Sequence, residues 1–185
     1  MLQPRMRSRA SQVCSTSTES SLETSDATFM RLAIAQAAEA SAAGEVPIGA
    51  VLVMGGDVVA SARNRVEELC DASAHAEMLC LRGGAAATGN WRLNAAPGST
   101  LYVTLEPCPM CLAAVHAFRV ERLVYAAPNT RLGAVESAMR FPAEHPFHSV
   151  RVTSGLLRDE AAALMLDFFR SRREAAAAEE RRIDD

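Results

Sequence analysis

Ser99-Thr100-Leu101-Tyr102-Val103-Thr104-Leu105-Glu106-Pro107-Cys108-Pro109-Met110-Cys111 passes from strand to helix in one short stretch. The β-branched and aromatic run Ser99 to Leu105 predicts a strand. Pro109 suits a first helical turn, where its missing N–H costs nothing, and the following residues predict a helix to about Phe118. Cys108 and Cys111 are spaced i, i+3, so both sulfurs share one face of that helix start. The positive end of the helix dipole favours their ionised forms.

Upstream, His75-Ala76-Glu77 places an imidazole and a carboxylate where a second helix is predicted to open, near Ser73 or His75, and to stop before Gly83-Gly84. Zinc favours His nitrogen and Cys sulfur, and a catalytic site keeps three protein ligands and leaves the fourth tetrahedral position to water. His75, Cys108 and Cys111 make that set, with Glu77 left over to carry protons. A structural zinc recruits a fourth Cys or His, and neither half of the motif contains one.

Working outward, Ser25 or Asp26 is the expected cap of a first helix whose apolar positions Phe29, Met30, Ala33, Ile34 and Ala37 recur at helical spacing, with Gly44 as terminator. Pro47 to Met54, the turn Gly55-Gly56-Asp57 and Val58 to Ala62 predict a hairpin. A loop around Trp91 leads to the Ser99 strand. Arg122 to Ala126 and Ser149 to Thr153 are further strands, separated by an aperiodic stretch from Pro128 to Pro146 that reads as a functional or covering loop. A last helix from Arg158 carries Ala161, Leu164, Met165, Phe168 and Phe169 on one stripe. Helices alternating with strands after a hairpin imply a three-layer α/β/α domain with a central mixed five-stranded sheet.

Composition sets the bounds. The chain has 185 residues, 49% of them hydrophobic, enough for one substantial core. A net charge of −3 excludes a strongly basic nucleic-acid binder, so any RNA contact must come from a local arginine cluster. Five cysteines, two claimed by the motif, predict reduced thiols, and no apolar run reaches a membrane span. The segment 1–24, with Arg5, Arg7 and Arg9 among serines, predicts a transit peptide or a disordered leader that includes Cys14. Residues 25–175 form the expected domain, and 176–185 a frayed charged tail.

His-x-Glu followed by Pro-Cys-x-x-Cys is the general signature of zinc deaminases that act on nucleobases. Beyond it, Glu45-Val46-Pro47-Ile48-Gly49-Ala50-Val51, Asn64-Arg65, Ala74-His75-Ala76-Glu77, Leu101 through Cys111 and Asp167-Phe168-Phe169-Arg170 resemble the bacterial and plastid tRNA adenosine deaminase family over almost all of Phe29 to Arg173. The resemblance implies a cytidine deaminase-like fold, a homodimer, and one Zn2+ per subunit on His75, Cys108 and Cys111. It further implies hydrolytic conversion of wobble adenosine to inosine in the anticodon stem-loop of an arginine tRNA, with Glu77 catalytic and Asn64, Ala76, Asn129, Phe169 and Arg170 binding substrate. Position 129 is Asn where many bacterial members carry Asp, at a place near the substrate ribose. His145-Pro146-Phe147-His148 looks like the plastid branch, as the leader does, which points to a chloroplast location, with mitochondrial or cytoplasmic alternatives.

Plainer readings stand beside these. Cys70 and Cys80 read as small buried hydrophobes, His116 as a packed side chain, and His145 and His148 as surface imidazoles. Phe168 and Phe169 read as core, Arg170, Arg172 and Arg173 as a solvated helix end or a phosphate grip, and Asn64 as a turn residue or a nucleotide contact. Two competing functions share the motif: a deaminase of free guanine, cytosine or a nucleoside, and a silent RNA-binding subunit of an editing complex. The Phe-Phe-Arg helix argues against the first. Glu77 argues against the second.

Overall fold

A computed structural model describes residues 16–94, 98–140 and 148–184, with side chains from residue 25 to residue 183 within those ranges. Arg5, Arg7, Arg9, Cys14, His145, Pro146 and Phe147 lie outside the described residues. Among the described residues, ten elements follow in order: α1 Thr16–Ala42, β1 Gly49–Met54, β2 Asp57–Arg63, α2 Val66–Leu69, α3 Ala76–Thr88, β3 Thr100–Leu105, α4 Pro109–Ala117, β4 Arg122–Ala127, β5 Arg151–Ser154 and α5 Arg158–Asp184.

The five strands form one mixed sheet in the order β2-β1-β3-β4-β5. β1 runs antiparallel to β2 and β3, whereas β3, β4 and β5 run parallel to one another. Alternation divides the inner strands between two cores. Ala50, Leu52, Leu101, Val103, Leu123 and Tyr125 face α3 and α4, where Ala76, Cys80, Leu81, Leu112 and Val115 meet them. Val51, Val53, Tyr102, Val124 and Ala126 face the other way, onto Met30 and Ala33 of α1 and Ala161 of α5. The expected α/β/α layering with a mixed five-stranded sheet is what forms.

Three boundaries differ from expectation. The first helix does not start at Ser25 or Asp26 but runs from Thr16, because no Gly or Pro interrupts residues 16–42. Asp26 instead takes two hydrogen bonds from Arg122, at 2.9 and 2.7 Å, and one from the Tyr102 hydroxyl at 2.6 Å, which ties α1 to the sheet. Burial opposes ionisation there, but the bonds from Arg122 and Tyr102 outweigh it and hold Asp26 below its ordinary value. Gly44, at φ +78°, ends α1 as expected.

The helix after His75 does not stop before Gly83-Gly84. It continues to Thr88 and is capped by Gly89 at φ 64°. Gly84 lies where a Cβ would overlap Cδ2 of Leu52, so this glycine lets α3 press onto β1. At the other end of the chain the expected frayed tail stays helical to Asp184, on a run of alanines and charges of high helix propensity. The short α2 was not expected. It is one turn, closed by Cys70 in the left-handed region at φ 48°, and Cys70 is exposed rather than buried.

Candidate active site

Each half of the motif opens a helix. His75 is the N-cap of α3 and Cys108 the N-cap of α4, both with extended backbone and neither spending its side chain on the cap. Glu77 lies in the first turn of α3, and Cys111 in the first turn of α4 behind Pro109. Because α3 and α4 share one face of the sheet, their starts converge. His75 Nδ1 lies 3.7 Å from Cys108 Sγ and 3.4 Å from Cys111 Sγ. The three donor atoms all fall within 4.8 Å of one another, the spread expected of ligands sharing one tetrahedral ion.

The donors also fit a cation electrostatically. Hydrogen bonding from Cys111, then from His75, brings the Cys108 thiol down to about 4 despite burial. The same bond, together with burial and the Glu77 carboxylate, pushes Cys111 far up. The two sulfurs thus titrate in opposite directions, and a cation held between them would favour the thiolate form of both. Glu77 is 3% exposed and its Oε2 has no hydrogen-bond partner. Burial raises its pKa, the first requirement of a carboxylate that must hold a proton at neutral pH.

Above these residues lies a cavity of about 820 Å³. His75, Glu77 and Cys108 line it, as do Asn64, Asn129 and Phe169 of the expected substrate set. Asn64 is 3% exposed and donates from Nδ2 to Glu45 Oε2 at 3.0 Å, so it is no mere turn residue. Asn129 Oδ1 accepts the backbone N–H groups of Arg131 and Leu132, at 3.2 and 3.1 Å, which folds the loop after β4 back on itself. Ala76 does not reach the lining with its side chain, which is fully buried in the core beneath α3. Arg170 points elsewhere and pairs with Asp167 at 2.6 Å, while Arg131, Arg172 and Arg173 line the cavity. Phe168 and Phe169 stand edge to face with centroids 5.3 Å apart, and both line it too.

Residues 23–127 match the family described as the cytidine and deoxycytidylate deaminase zinc-binding region. A tRNA-specific adenosine deaminase of Agrobacterium fabrum is 48% identical over 148 residues, covering 78% of this chain and 94% of that protein. The chain belongs to the tRNA-specific adenosine deaminase family. A chloroplastic tRNA(adenine(34)) deaminase of Arabidopsis thaliana is 44% identical over 171 residues; the match covers 83% of this chain but 13% of that much longer protein. A solved structure from a study of A-to-I editing by wobble-position tRNA deaminases superposes with a TM-score of 0.69 at 47% identity, covering 74% of this chain and 98% of that one.

Members of this deaminase family are zinc hydrolases, and the donor set here has the composition and spacing for that ion. Two residues at the cavity carry geometry that the sequence reading did not assign. Glu45, 1% exposed, bonds Asn64 and also accepts the Glu68 backbone N–H at 2.9 Å. Glu106, also 1% exposed, accepts four backbone N–H groups of the loop after β4. Burial works against its ionisation, yet bonds from the Glu136 backbone, the Ser137 side chain and the Asn129 and Ser137 backbones hold Glu106 below its ordinary range. A signal existed for Glu106: an aperiodic loop of many backbone amides has to find acceptors somewhere. His116 is packed as expected, at 4% exposure. His148 is half-buried, with Nε2 2.6 Å from the Val120 carbonyl oxygen. Among the described residues, no helix is long and apolar enough to cross a membrane.

Proposed function

We propose that this chain deaminates adenosine to inosine at the wobble position of a tRNA anticodon, that the tRNA accepts arginine, and that the enzyme acts as a homodimer in a plastid. One observation carries the reading. His75 and Cys108 of the donor set, with Glu77 and its unpartnered oxygen, line a cavity walled by an aromatic pair and by Arg131, Arg172 and Arg173, more cationic and aromatic surface than a free base needs. Unpaired anticodon bases leave the stack at little cost and can enter such a cavity edge first. The similarity to the Agrobacterium and Arabidopsis proteins supports the substrate class, and the latter supports the plastid location.

The reaction adds water across the C6=N1 bond of the ring and then breaks the C6–amino bond. Oxygen ends on C6 as the carbonyl of inosine, and the amino group departs as ammonia. Zinc on His75, Cys108 and Cys111 supplies, when bound, acidified water at neutral pH. Glu77, beside His75 at the start of α3, takes one proton from the water and delivers it to ring nitrogen N1, then takes the second from the hydroxyl on C6 as it becomes a carbonyl and passes it to the departing amine. Its buried, unpartnered oxygen suits a group that must gain and lose a proton within one turnover. Asn64, held by Glu45, presents its remaining amide atoms to the nucleotide. Phe168 and Phe169 offer faces to neighbouring bases, and the arginines meet phosphates.

The test is direct. The full chain is incubated with an anticodon stem-loop, free adenosine, guanine and cytosine, with ammonia release and product mass followed. Inosine in the stem-loop with inert free bases is the expected result. Conversion of free bases with inert RNA would replace this reading with a small-molecule deaminase, and binding without turnover would replace it with a silent RNA-binding subunit.

A further inference from the structure

Glu106 sits two residues before Cys108, between the end of β3 and the zinc-ligand turn. Its Oε1 accepts the backbone N–H groups of Val135, Glu136 and Ser137 at 3.0, 2.8 and 3.0 Å, and its Oε2 accepts that of Asn129 at 3.0 Å. The Ala134 N–H donates to the Pro107 carbonyl at 2.9 Å, and the Glu106 N–H to that of Ala127 at 2.8 Å. The loop from Pro128 to Met139 is therefore wrapped around one buried anion. Gly133 packs so closely that a Cβ there would overlap the Glu106 carboxylate. The outer side of the same loop, Pro128 to Leu132, forms one wall of the cavity.

We propose that Glu106 is a positioning residue: it fixes the wall carrying Asn129 and Arg131 at a set distance from the zinc ligands, and so sets how tightly substrate is held. The inference rests on the deaminase reading of the cavity. The four backbone N–H groups that meet the carboxylate can only donate, and the Ser137 hydroxyl bonds it as well, so the position needs an acceptor on both oxygens. Bonds to an ionised acceptor are also the stronger kind. Glutamine would set an NH2 among N–H groups and leave at least one of them unpaired. Aspartate, one methylene shorter, would not reach both ends of the loop. The wall would loosen while Cys108, held by its own helix turn, stayed in place. Nothing in this arrangement touches the reacting atoms.

The experiment compares the wild-type zinc protein with Glu106→Gln for zinc per chain, backbone amide exchange at residues 129 and 135–137, and KM and kcat on the anticodon stem-loop. Expected are retained zinc, exchange at those amides faster by about tenfold or more, and KM raised about tenfold with kcat changed far less, the pattern of lost uniform binding. Unchanged KM and exchange would overturn the proposal. So would lost zinc, which would make Glu106 a support for Cys108, or a fall in kcat alone, which would put it in the chemistry. Should Glu106→Gln fail to fold, Gly133→Ala displaces the same contact from the loop side and is read identically. If the wild type leaves the stem-loop unconverted, the tRNA reading fails first. The proposal is then decided by amide exchange and by KM on whichever free base or nucleoside the wild type converts, and it falls if those do not move.

Discussion

Alanine substituted in turn at Gly83 and Gly84 should move stability in opposite directions. Both glycines lie inside α3, where glycine costs roughly 0.5–1 kcal/mol relative to alanine. Gly83 is exposed, and a Cβ there would meet only Ala60 Cβ, at 3.6 Å, an ordinary contact. Gly83→Ala should therefore stabilise by about 1 kcal/mol, which raises Tm by about 2–4 °C for a domain of this size. Gly84 is buried, and a Cβ there would overlap Cδ2 of Leu52, itself fully buried at the centre of β1. Over-packing of that kind costs about 1–3 kcal/mol, and the helix gain of about 1 kcal/mol offsets only part of it. Gly84→Ala should then lie between no change and a loss of about 2 kcal/mol. The assay is thermal unfolding followed by circular dichroism at matched zinc content, since bound metal stabilises on its own account. A rise in Tm for Gly84→Ala equal to that for Gly83→Ala would refute the close approach of α3 to β1. A fall for Gly83→Ala would refute a helix running through the pair.

Four further outcomes follow from the site and its surroundings. Glu77→Gln should keep zinc yet lose about 10²–10⁴-fold in kcat, read by ammonia release and metal analysis; full turnover would remove the proton shuttle. His75→Ala and Cys108→Ser should each lose the metal and the activity, and chelation of the wild type should lower Tm, because the ion joins the starts of α3 and α4. Asp26 has a folded pKa below its ordinary 3.8, so its contribution is present above that value and lost as pH falls through the lower folded one. The Tm gap between wild type and Asp26→Asn should hold at neutral pH and close in acid, and a gap that persisted there would refute the linkage. Burial pushes the Cys80 thiol up to about 12, so alkylation of the native protein should label exposed Cys70 and spare Cys80, which peptide mapping would reveal.

The layers were legible because their signals are local and periodic. The runs Ser99 to Leu105 and Arg122 to Ala126 read as strands, and in the structure Leu101, Val103, Leu123 and Tyr125 face one core while Tyr102 and Val124 face the other. The zinc donors were legible because metal chemistry constrains residue type as well as spacing. Boundaries were not. A glycine pair that reads as a stop is used in α3 as a packing surface, and an Asp that reads as a cap is used as an anchor for Arg122. In both cases the deciding partner, Leu52 or Arg122, is distant in sequence. The same holds for the cavity walls: Glu45 meets Asn64 only once β1 pairs with β2, and Glu106 meets the loop after β4 only once β3 and β4 are side by side.

Three carboxylates that line the cavity are buried to 3% exposure or less: Glu45, Glu77 and Glu106. Burial alone does not separate their roles, but their hydrogen bonds do. A carboxylate whose two oxygens both accept from fixed donors is held in one orientation, because turning it would leave those donors unpaired. Glu106 is in that state with four backbone N–H groups, and Glu45 with Asn64 and the Glu68 N–H. Both oxygens of each are occupied, which suits them to hold walls in place. Glu77 alone of the three keeps an oxygen without a partner, and it lies in the same helix turn as a zinc donor. A proton accepted there displaces no structural bond, so the group can cycle between its two states without moving the fold. Three chemically identical side chains thus differ in the donors each one meets, and that difference is what the Glu77→Gln and Glu106→Gln variants read out.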